Sequence, residues 1–216
     1  MTPLFITFEG LDGSGKSTHL RHAAEWMEQR GLDVRTTHEP GGTPLGDAIR
    51  QVFLDPRWDK LDGKVEALLV FASRRQHLLE VIDPSLAAGR HVLCDRFTDS
   101  TLVYQGSGRG LPWKWVDDLD ELATGQRRPD LTLLFDLPAE VARSRGQSPK
   151  RRAKGLDRID VEGLEFYRRG RDAYLELARR EPQRFRVIDS SGSRDETWSQ
   201  VEEVLAATFV TVASPP

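Results

Sequence analysis

Lys16 follows glycines at positions 10, 13 and 15 and precedes two hydroxyl residues, in the run Gly10-Leu11-Asp12-Gly13-Ser14-Gly15-Lys16-Ser17-Thr18. The run fits G-x-x-x-x-G-K-[ST], and its residue types suit the binding of a polyphosphate. Consecutive backbone N–H groups in a loop opened by glycine form a concave anion site, and the N-terminus of a following helix adds partial positive charge. Lys16 can reach the β- and γ-phosphates, and the Ser17 hydroxyl can complete a Mg²⁺ shell. The flanks agree. Leu4-Phe5-Ile6-Thr7-Phe8 reads as a buried strand, and Leu20, Ala23, Ala24 and Met27 recur at helical spacing until Gly31. A glycine-rich turn with an incidental lysine needs neither flank. The chain is expected to bind a nucleoside triphosphate.

Such a loop needs a sheet to present it. Strands are expected at 4–9, 33–38, 91–95, 131–137 and 184–189, with helices at 17–30, 44–54, 64–82, 112–124, 161–180 and 195–208. Apolar, β-branched strands alternating with helices predict an α/β fold of the P-loop NTPase class. That means a mainly parallel five-stranded sheet covered on both faces. At 216 residues the chain suits one domain, 1–216, and no internal repeat or Pro/Gly/Ser-rich linker divides it. Residues 144–157 are strongly basic and short of apolar anchors, and read as a mobile insertion. The tail from Ala213 to Pro216 reads as frayed.

Net charge is −3 with 30% charged residues, which argues against a nucleic-acid coat or a membrane-surface binder. No apolar run approaches the roughly 20 residues of a membrane span, and no signal peptide opens the chain. A cytoplasmic setting is expected, where ATP and Mg²⁺ are plentiful. The single cysteine, Cys94, lies in the apolar run His91-Val92-Leu93-Cys94 and reads as core.

Companion motifs narrow the chemistry. A GTPase needs D-x-x-G and N-K-x-D in order; only Asp189-Ser190-Ser191-Gly192 matches the first, near the C-terminus, and nothing matches the second. The ABC-type signature is absent. What remains are polar, glycine-punctuated segments suited to a second substrate site at the strand ends, where open α/β sheets bind ligands.

Those segments together resemble the thymidylate kinases, the P-loop nucleoside-monophosphate kinases that convert dTMP to dTDP. Phe8-Glu9-Gly10-Leu11-Asp12-Gly13 is similar to the family's loop with its internal acid, and His38-Glu39-Pro40-Gly41-Gly42-Thr43 to its E-P-G-G-T turn. Asp95-Arg96-Phe97, Ser100-Thr101 and the run Tyr104-Gln105-Gly106-Ser107-Gly108-Arg109-Gly110 match D-R-[YFH]…S-[ST]…Y-Q-G-x-G-R-G. Arg127-Arg128-Pro129-Asp130-Leu131-Thr132 resembles R-P-D-L-T, and Leu156-Asp157-Arg158-Ile159-Asp160 resembles the segment after the lid. Five segments in the right order cover nearly the whole chain.

The resemblance implies ATP and dTMP as substrates, Mg²⁺ as cofactor and a homodimer through apolar helix faces near 64–82, with no nucleic-acid partner. Transfer to a phosphate monoester needs no strong base, because its second pKa lies near 6 and it is already mostly dianionic. Alignment and cations must lower the barrier. Arg96, at a strand end beside the loop, is placed to bridge donor and acceptor phosphates, or else to pair with Asp95. Asp95 can hold Mg²⁺ with Ser17, or act structurally. Asp12 is implied to face the acceptor's 3′-hydroxyl, or else to stabilise the loop. Glu39 belongs to the acceptor side, and Gly41 and Gly42 either admit a ligand or form an ordinary turn.

On the 64–82 helix the resemblance implies a Phe stacked on thymine and an Arg four residues later on its carbonyl. Arg74 takes the Arg position, but Val70 stands at the Phe position with Phe71 next to it; Phe71 is favoured as the base contact. Ser100, Thr101 and Gln105 could complete the base edge, and Tyr104 could crowd C2′ against a ribose. The basic stretch Arg143, Arg145, Lys150, Arg151, Arg152 and Lys154 supports a solvated loop, a nucleic-acid or nuclear-localisation patch, or a catalytic lid at about 144–157. The lid is favoured, since the loop holds no arginine among residues 11–14 and bacterial-type members supply that cation from the lid. Arg151 and Arg152 are then catalytic and Arg143 contacts ATP. Two alternatives stay open. One is another P-loop small-molecule kinase with a deoxynucleoside or other monophosphate acceptor, and the other is a P-loop regulatory or nucleic-acid-binding protein.

Overall fold

A computed structural model describes residues 2–58, 60–153 and 155–210, apart from the side chains of Lys150, Arg151 and Val210. Five strands, β1 (Phe5–Gly10), β2 (Val34–His38), β3 (His91–Asp95), β4 (Leu131–Asp136) and β5 (Phe185–Asp189), lie within about a residue of the expected ranges. They form one sheet in the order β2-β3-β1-β4-β5, and every pairing is parallel. The α/β expectation therefore holds. β1 is central and fully buried, Thr7 and Glu9 included, as a strand covered on both faces must be.

The helices are α1 (Lys16–Glu28), α2 (Pro44–Leu54), α3 (Gly63–His77), α4 (Asp83–Ala87), α5 (Thr98–Thr101), α6 (Trp113–Thr124), α7 (Ala139–Gly146), α8 (Pro149–Arg152), α9 (Leu164–Arg180) and α10 (Arg194–Val210). One face of the sheet packs Ile6, Phe8, Leu133 and Phe135 against Leu20, Ala23 and Met27 of α1 and Val201 and Leu205 of α10. The opposite face meets α9 and the chain beyond β3. Cys94 is buried there, and burial pushes its thiol pKa well up, in keeping with a core residue.

Two helices that line the site have well-made starts. Thr43 accepts from the Gly46 N–H at 2.9 Å, with Pro44 at the first helical position of α2. Asp62 accepts from the Lys64 N–H at 2.9 Å ahead of α3. Caps of this kind stabilise a helix by about 1 kcal/mol.

The expected helix 64–82 is α3 continued by a wider π-turn, Leu78–Ile82, and a second π-turn spans Leu102–Gly108. The wide turns permit changes of direction that a 3.6-residue pattern does not foresee. Residues 144–157 depart from the loop expected there, because α7 extends into them and α8 lies within them. The apolar signal of α7 is only Ala139, Val141 and Ala142, too short to stand out in a basic sequence. Lys154 and the tail from Ala213 lie outside the described residues.

Candidate active site

The loop between β1 and α1 follows from its glycines. Gly10 has φ 138°, and a Cβ there would lie 2.5 Å from the Phe135 carbonyl oxygen. Gly13 has φ 87°, and a Cβ would meet the Ala142 carbonyl oxygen at 2.3 Å. Only glycine fits either place. Gly15 enters α1 in the left-handed region, with no side-chain cap and no acid in the first turn. That helix start is left to an external anion, as an electropositive N-terminus favours. Thr18 lies in the first turn, its N–H donating to Gly15 at 3.0 Å. Leu11 turns into the core, and the Ser14 hydroxyl is buried without a partner among the described residues.

Lys16 is buried beside the loop, its Nζ 3.6 Å from Asp12 Oδ1. Burial, and then Arg96, push its pKa down, while Asp12, Asp95 and Glu9 resist. Ser17 Oγ donates to Asp95 Oδ2, so the two expected metal-side oxygens are in direct contact.

Next to the loop a cavity opens at the carboxyl ends of β1 and β3. Arg96 spans the boundary. It donates from Nη1 to Gly10 O at 3.0 Å and Ser100 Oγ at 3.1 Å, and from Nη2 to Asp12 Oδ1 at 2.8 Å. The backbone of Arg96 has φ 74°, a strained conformation for a residue with a side chain, held by this network. Burial opposes its charge, but Asp12 and the neighbouring tyrosines and Asp95 drive its pKa well up, so it is a fixed cation. The alternative expected for Arg96 is a pair with Asp95; its ion pair in the structure is with Asp12 on the loop. Tyr104 packs its ring 4.9 Å from the Arg96 guanidinium and donates to Asp12 Oδ2 at 3.4 Å.

The far wall is built on Arg74, which is 1% exposed. Its Nε donates to Glu39 Oε2 at 2.6 Å and its Nη2 to Thr101 Oγ1 at 3.0 Å. Glu39 also meets His77 Nδ1 at 2.9 Å. Arg74 Nη1, however, is buried with no hydrogen-bond partner among the described residues. Gln105 lines the same cavity and donates to the buried Glu66 at 2.9 Å.

The cavity therefore gathers Asp12, Glu39, Arg74, Arg96, Ser100, Thr101, Tyr104 and Gln105, eight of the nine acceptor-side residues expected from sequence. Phe71 is the ninth and does not line it. Its ring lies 4.7 Å from the Arg74 guanidinium, with Phe97 at 5.0 Å, so Phe71 clamps the arginine in the core. Val70 and Phe53 line the cavity instead. The glycine turn is also structural, because Gly41 N–H donates to Ser73 Oγ and Gly42 N–H to Asp47 Oδ1, both at 3.0 Å.

The basic segment packs its start against the loop, with Arg145 and Gly146 close beside Gly13, but the hydrogen bonds of its described arginines run to carbonyls elsewhere. Arg143 Nε donates to Glu162 O at 3.2 Å and Arg152 Nε to Gln147 O at 2.9 Å. The Arg151 side chain lies outside the described residues. Sequence reasoning missed Arg50 and Phe53, which line the cavity one turn apart on α2; the helical spacing of three was the available signal. Burial lowers the Arg50 pKa, and its one hydrogen bond among the described residues runs from Nη1 to Pro40 O at 2.9 Å.

A phosphate loop at the end of a central parallel strand, faced by a cation-bridged cavity, defines a P-loop phosphotransferase with a second substrate site. The family model described as thymidylate kinase matches residues 8–201. The chain is 47% identical to the thymidylate kinase of Neisseria gonorrhoeae (strain NCCP11945) over 210 residues, 97% of this chain and 99% of the relative. It is 47% identical to that of Ectopseudomonas mendocina (strain ymp), over 95% of this chain and 96% of the relative. The crystal structure of thymidylate kinase from Ehrlichia chaffeensis is similar with a TM-score of 0.75 and 34% identity, covering 95% of this chain and 99% of that one. The chain belongs to the thymidylate kinase family.

Proposed function

We propose that this chain transfers the γ-phosphoryl group of ATP to dTMP, giving dTDP and ADP. The observation that carries the acceptor assignment is Arg74 Nη1, a buried guanidinium N–H with no partner among the described residues, on the wall of the cavity beside the loop. Leaving such a donor unmet costs about 1–3 kcal/mol or more, which a ligand oxygen recovers. A pyrimidine carbonyl is an acceptor of that kind, and Gln105 beside it suits the same base edge.

The acceptor phosphate arrives as a dianion, so no group on the chain has to remove a proton before transfer. Arg96 offers two fixed donors between the cavity and the loop, and Arg50 adds a second cation on the acceptor side. Lys16 is suited to follow the γ-phosphoryl group as it moves. Asp12 holds Lys16 and Arg96 apart in the free site, which keeps both cations positioned without mutual repulsion. In a loose transition state the transferring oxygens carry the charge, and fixed cations stabilise it more than flexible ones.

Ser17 Oγ and Asp95 form a pair of hard oxygen donors that fits Mg²⁺. Among the described residues, no group of three or more His, Cys, Asp or Glu could hold a metal. That agrees with an ion bound chiefly by phosphates. Mg²⁺, when present, neutralises β- and γ-phosphate charge.

We read the whole chain as one kinase unit whose lid, 144–157, closes to bring Arg143, Arg151 and Arg152 toward ATP. Arg143 and Arg152 must leave their present carbonyl partners to do so. Exposed Val65, Leu68 and Leu79, on α3 and its continuation, support a homodimer. No helix of the described residues is long and apolar enough to cross a membrane, and we assign the enzyme to the cytoplasm with its ATP supply. A coupled ADP-release assay with ATP and Mg²⁺ against dTMP, dUMP, thymidine, CMP and AMP tests the function. Turnover with dTMP and dUMP and rejection of AMP and CMP are expected; equal turnover of AMP and dTMP would overturn the assignment.

A further inference from the structure

The cavity that takes the acceptor base has an aromatic wall, but not where the helix carrying Arg74 would put one. Position 70, one turn before Arg74 on α3, is valine, and the neighbouring Phe71 is turned away to pack under the Arg74 guanidinium. Phe53, near the end of α2, lines the cavity with Val70 and is 6% exposed.

Phe53 is also held in place by groups that do not otherwise serve the reaction. Arg158 Nε and Nη2 each donate to the Phe53 carbonyl at 3.1 Å, and the Arg158 N–H donates to the Leu54 carbonyl at 3.3 Å. The same guanidinium lies 5.2 Å from the Phe53 ring centroid. Its Nη1 donates to Glu66, whose carboxylate also receives Arg109 Nε at 3.0 Å and Gln105 Nε2 at 2.9 Å. Glu66 is fully buried, so this hub is rigid and fixes Phe53 and Gln105 together. A pyrimidine bonded to Arg74 Nη1 at one edge therefore finds one large, fixed aromatic surface in the cavity among the α2 and α3 residues, and that is Phe53. Tyr104 and Phe97 also line the cavity, but they sit on Arg96 and Arg74, the cations assigned to the substrate, whereas the cation on Phe53, Arg158, bonds only the Phe53 carbonyl and Glu66 through its side chain.

Resting on the dTMP assignment above, we propose that Phe53 is the base-packing residue of this enzyme, the aromatic surface having moved from α3 to α2 with Val70 clearing space for it. Arg158 is then a positioning residue that acts through Phe53. An aromatic contact of this type is worth about 1–3 kcal/mol to a bound base, and leucine keeps part of it by simple packing.

The test compares wild type, Phe53→Leu, Val70→Phe and the double variant Phe53→Leu/Val70→Phe. Calorimetric Kd values are measured for dTMP and for 2-deoxyribose 5-phosphate, which keeps sugar and phosphate but lacks the base. Circular dichroism melting checks each fold. We expect Phe53→Leu to weaken dTMP about tenfold and leave the abasic phosphate within twofold. Adding Val70→Phe should return dTMP binding to within about threefold of wild type, since the ring is supplied from α3 again. An unchanged dTMP Kd in folded Phe53→Leu would overturn the proposal. So would an equal loss for the abasic phosphate, which would mean general damage to the cavity. These outcomes leave the kinase assignment standing if wild type still turns over dTMP; a wild type that neither binds nor turns over dTMP overturns both.

Discussion

Asp12 Oδ1 lies 2.8 Å from Arg96 Nη2, and that contact joins the phosphate loop to the strand end that faces the acceptor. The same oxygen is 3.6 Å from Lys16 Nζ. One carboxylate thus separates two cations that the reaction needs close together. Without it, two like charges would face each other in a site shielded from water, where their repulsion is strong.

Arg96→Lys should lower the turnover number about 100-fold or more. A lysine offers one point charge where the guanidinium makes a fork to Gly10, Ser100 and Asp12, and it cannot span the donor and acceptor phosphates at once. Single-turnover rates at saturating ATP and dTMP measure this directly. A rate within threefold of wild type would mean that Arg96 serves the fold rather than the transfer.

Lys16→Ala should depress turnover by orders of magnitude while the fold survives. Lysine is desolvated here, so its removal costs the folded protein little and takes away charge that matters most as the phosphoryl group moves. Near-normal activity in a correctly folded variant would sink the reading of this loop as the catalytic one.

The loop was legible in sequence because its constraints are local: nine adjoining residues specify a turn, an anion site and a helix start. The strands were legible for a similar reason, since β1, β3 and β4 are short, mostly apolar and buried, and the edge strands β2 and β5 still show β-branched residues. The acceptor wall was only half legible. Arg74 and Gln105 were found through resemblance, but Phe53 lay in an amphipathic helix, where an apolar residue reads as core. Glu66 stands in the first turn of α3, yet it is a buried hub for Gln105, 39 residues away, and Arg158, 92 residues away. Pairings at that separation leave no periodic trace. The basic segment misled in the other direction, because α7 anchors itself with Ala139, Val141 and Ala142, a signal too short for composition to register.

Arg74→Met should raise the dTMP Michaelis constant and also destabilise the fold by about 3–5 kcal/mol, because Glu39 would stay buried with its main cation gone. The companion variant Glu39→Gln/Arg74→Met should recover much of that stability without recovering dTMP binding. Urea unfolding and Michaelis constants on both variants separate the two roles. Equal stability of Arg74→Met and wild type would show that His77 alone satisfies Glu39.

Neutralising Arg151 and Arg152 together should lower the turnover number more than it raises the dTMP Michaelis constant. A lid cation stabilises charge that grows only toward the transition state, so its loss appears in the chemical step. Single-turnover measurement is the cleaner readout, because lid opening can limit steady-state turnover. Unaltered chemistry in the double variant would move that duty to Arg143 or Arg145. Arg158 is an unsuitable replacement, since it is committed to Glu66 and the Phe53 carbonyl.

Glu9 should make the protein less stable as pH rises through neutrality. Its carboxyl is fully buried behind Arg96, and burial, then Asp99, raise its pKa from 4.5 to about 7 against the pull of Arg96 and its hydrogen bonds. Phe97 N–H donates to Oε1 at 2.7 Å, while Ser100 Oγ and Tyr174 Oη donate to Oε2 at 2.7 and 2.8 Å. A raised folded pKa means that the native state keeps a proton that the unfolded chain has already released between about pH 4.5 and 7. The resulting stabilisation is complete below the unfolded pKa and is lost as pH climbs through 7, amounting to about 3 kcal/mol at most. Glu9→Gln does not titrate and keeps the shape, so it subtracts every other group from the comparison. The stability of wild type relative to Glu9→Gln, from urea unfolding at steps between pH 5 and 8, should therefore fall with rising pH. If wild type instead gains on the glutamine variant over that range, the three donors hold Glu9 ionised and burial is the weaker effect.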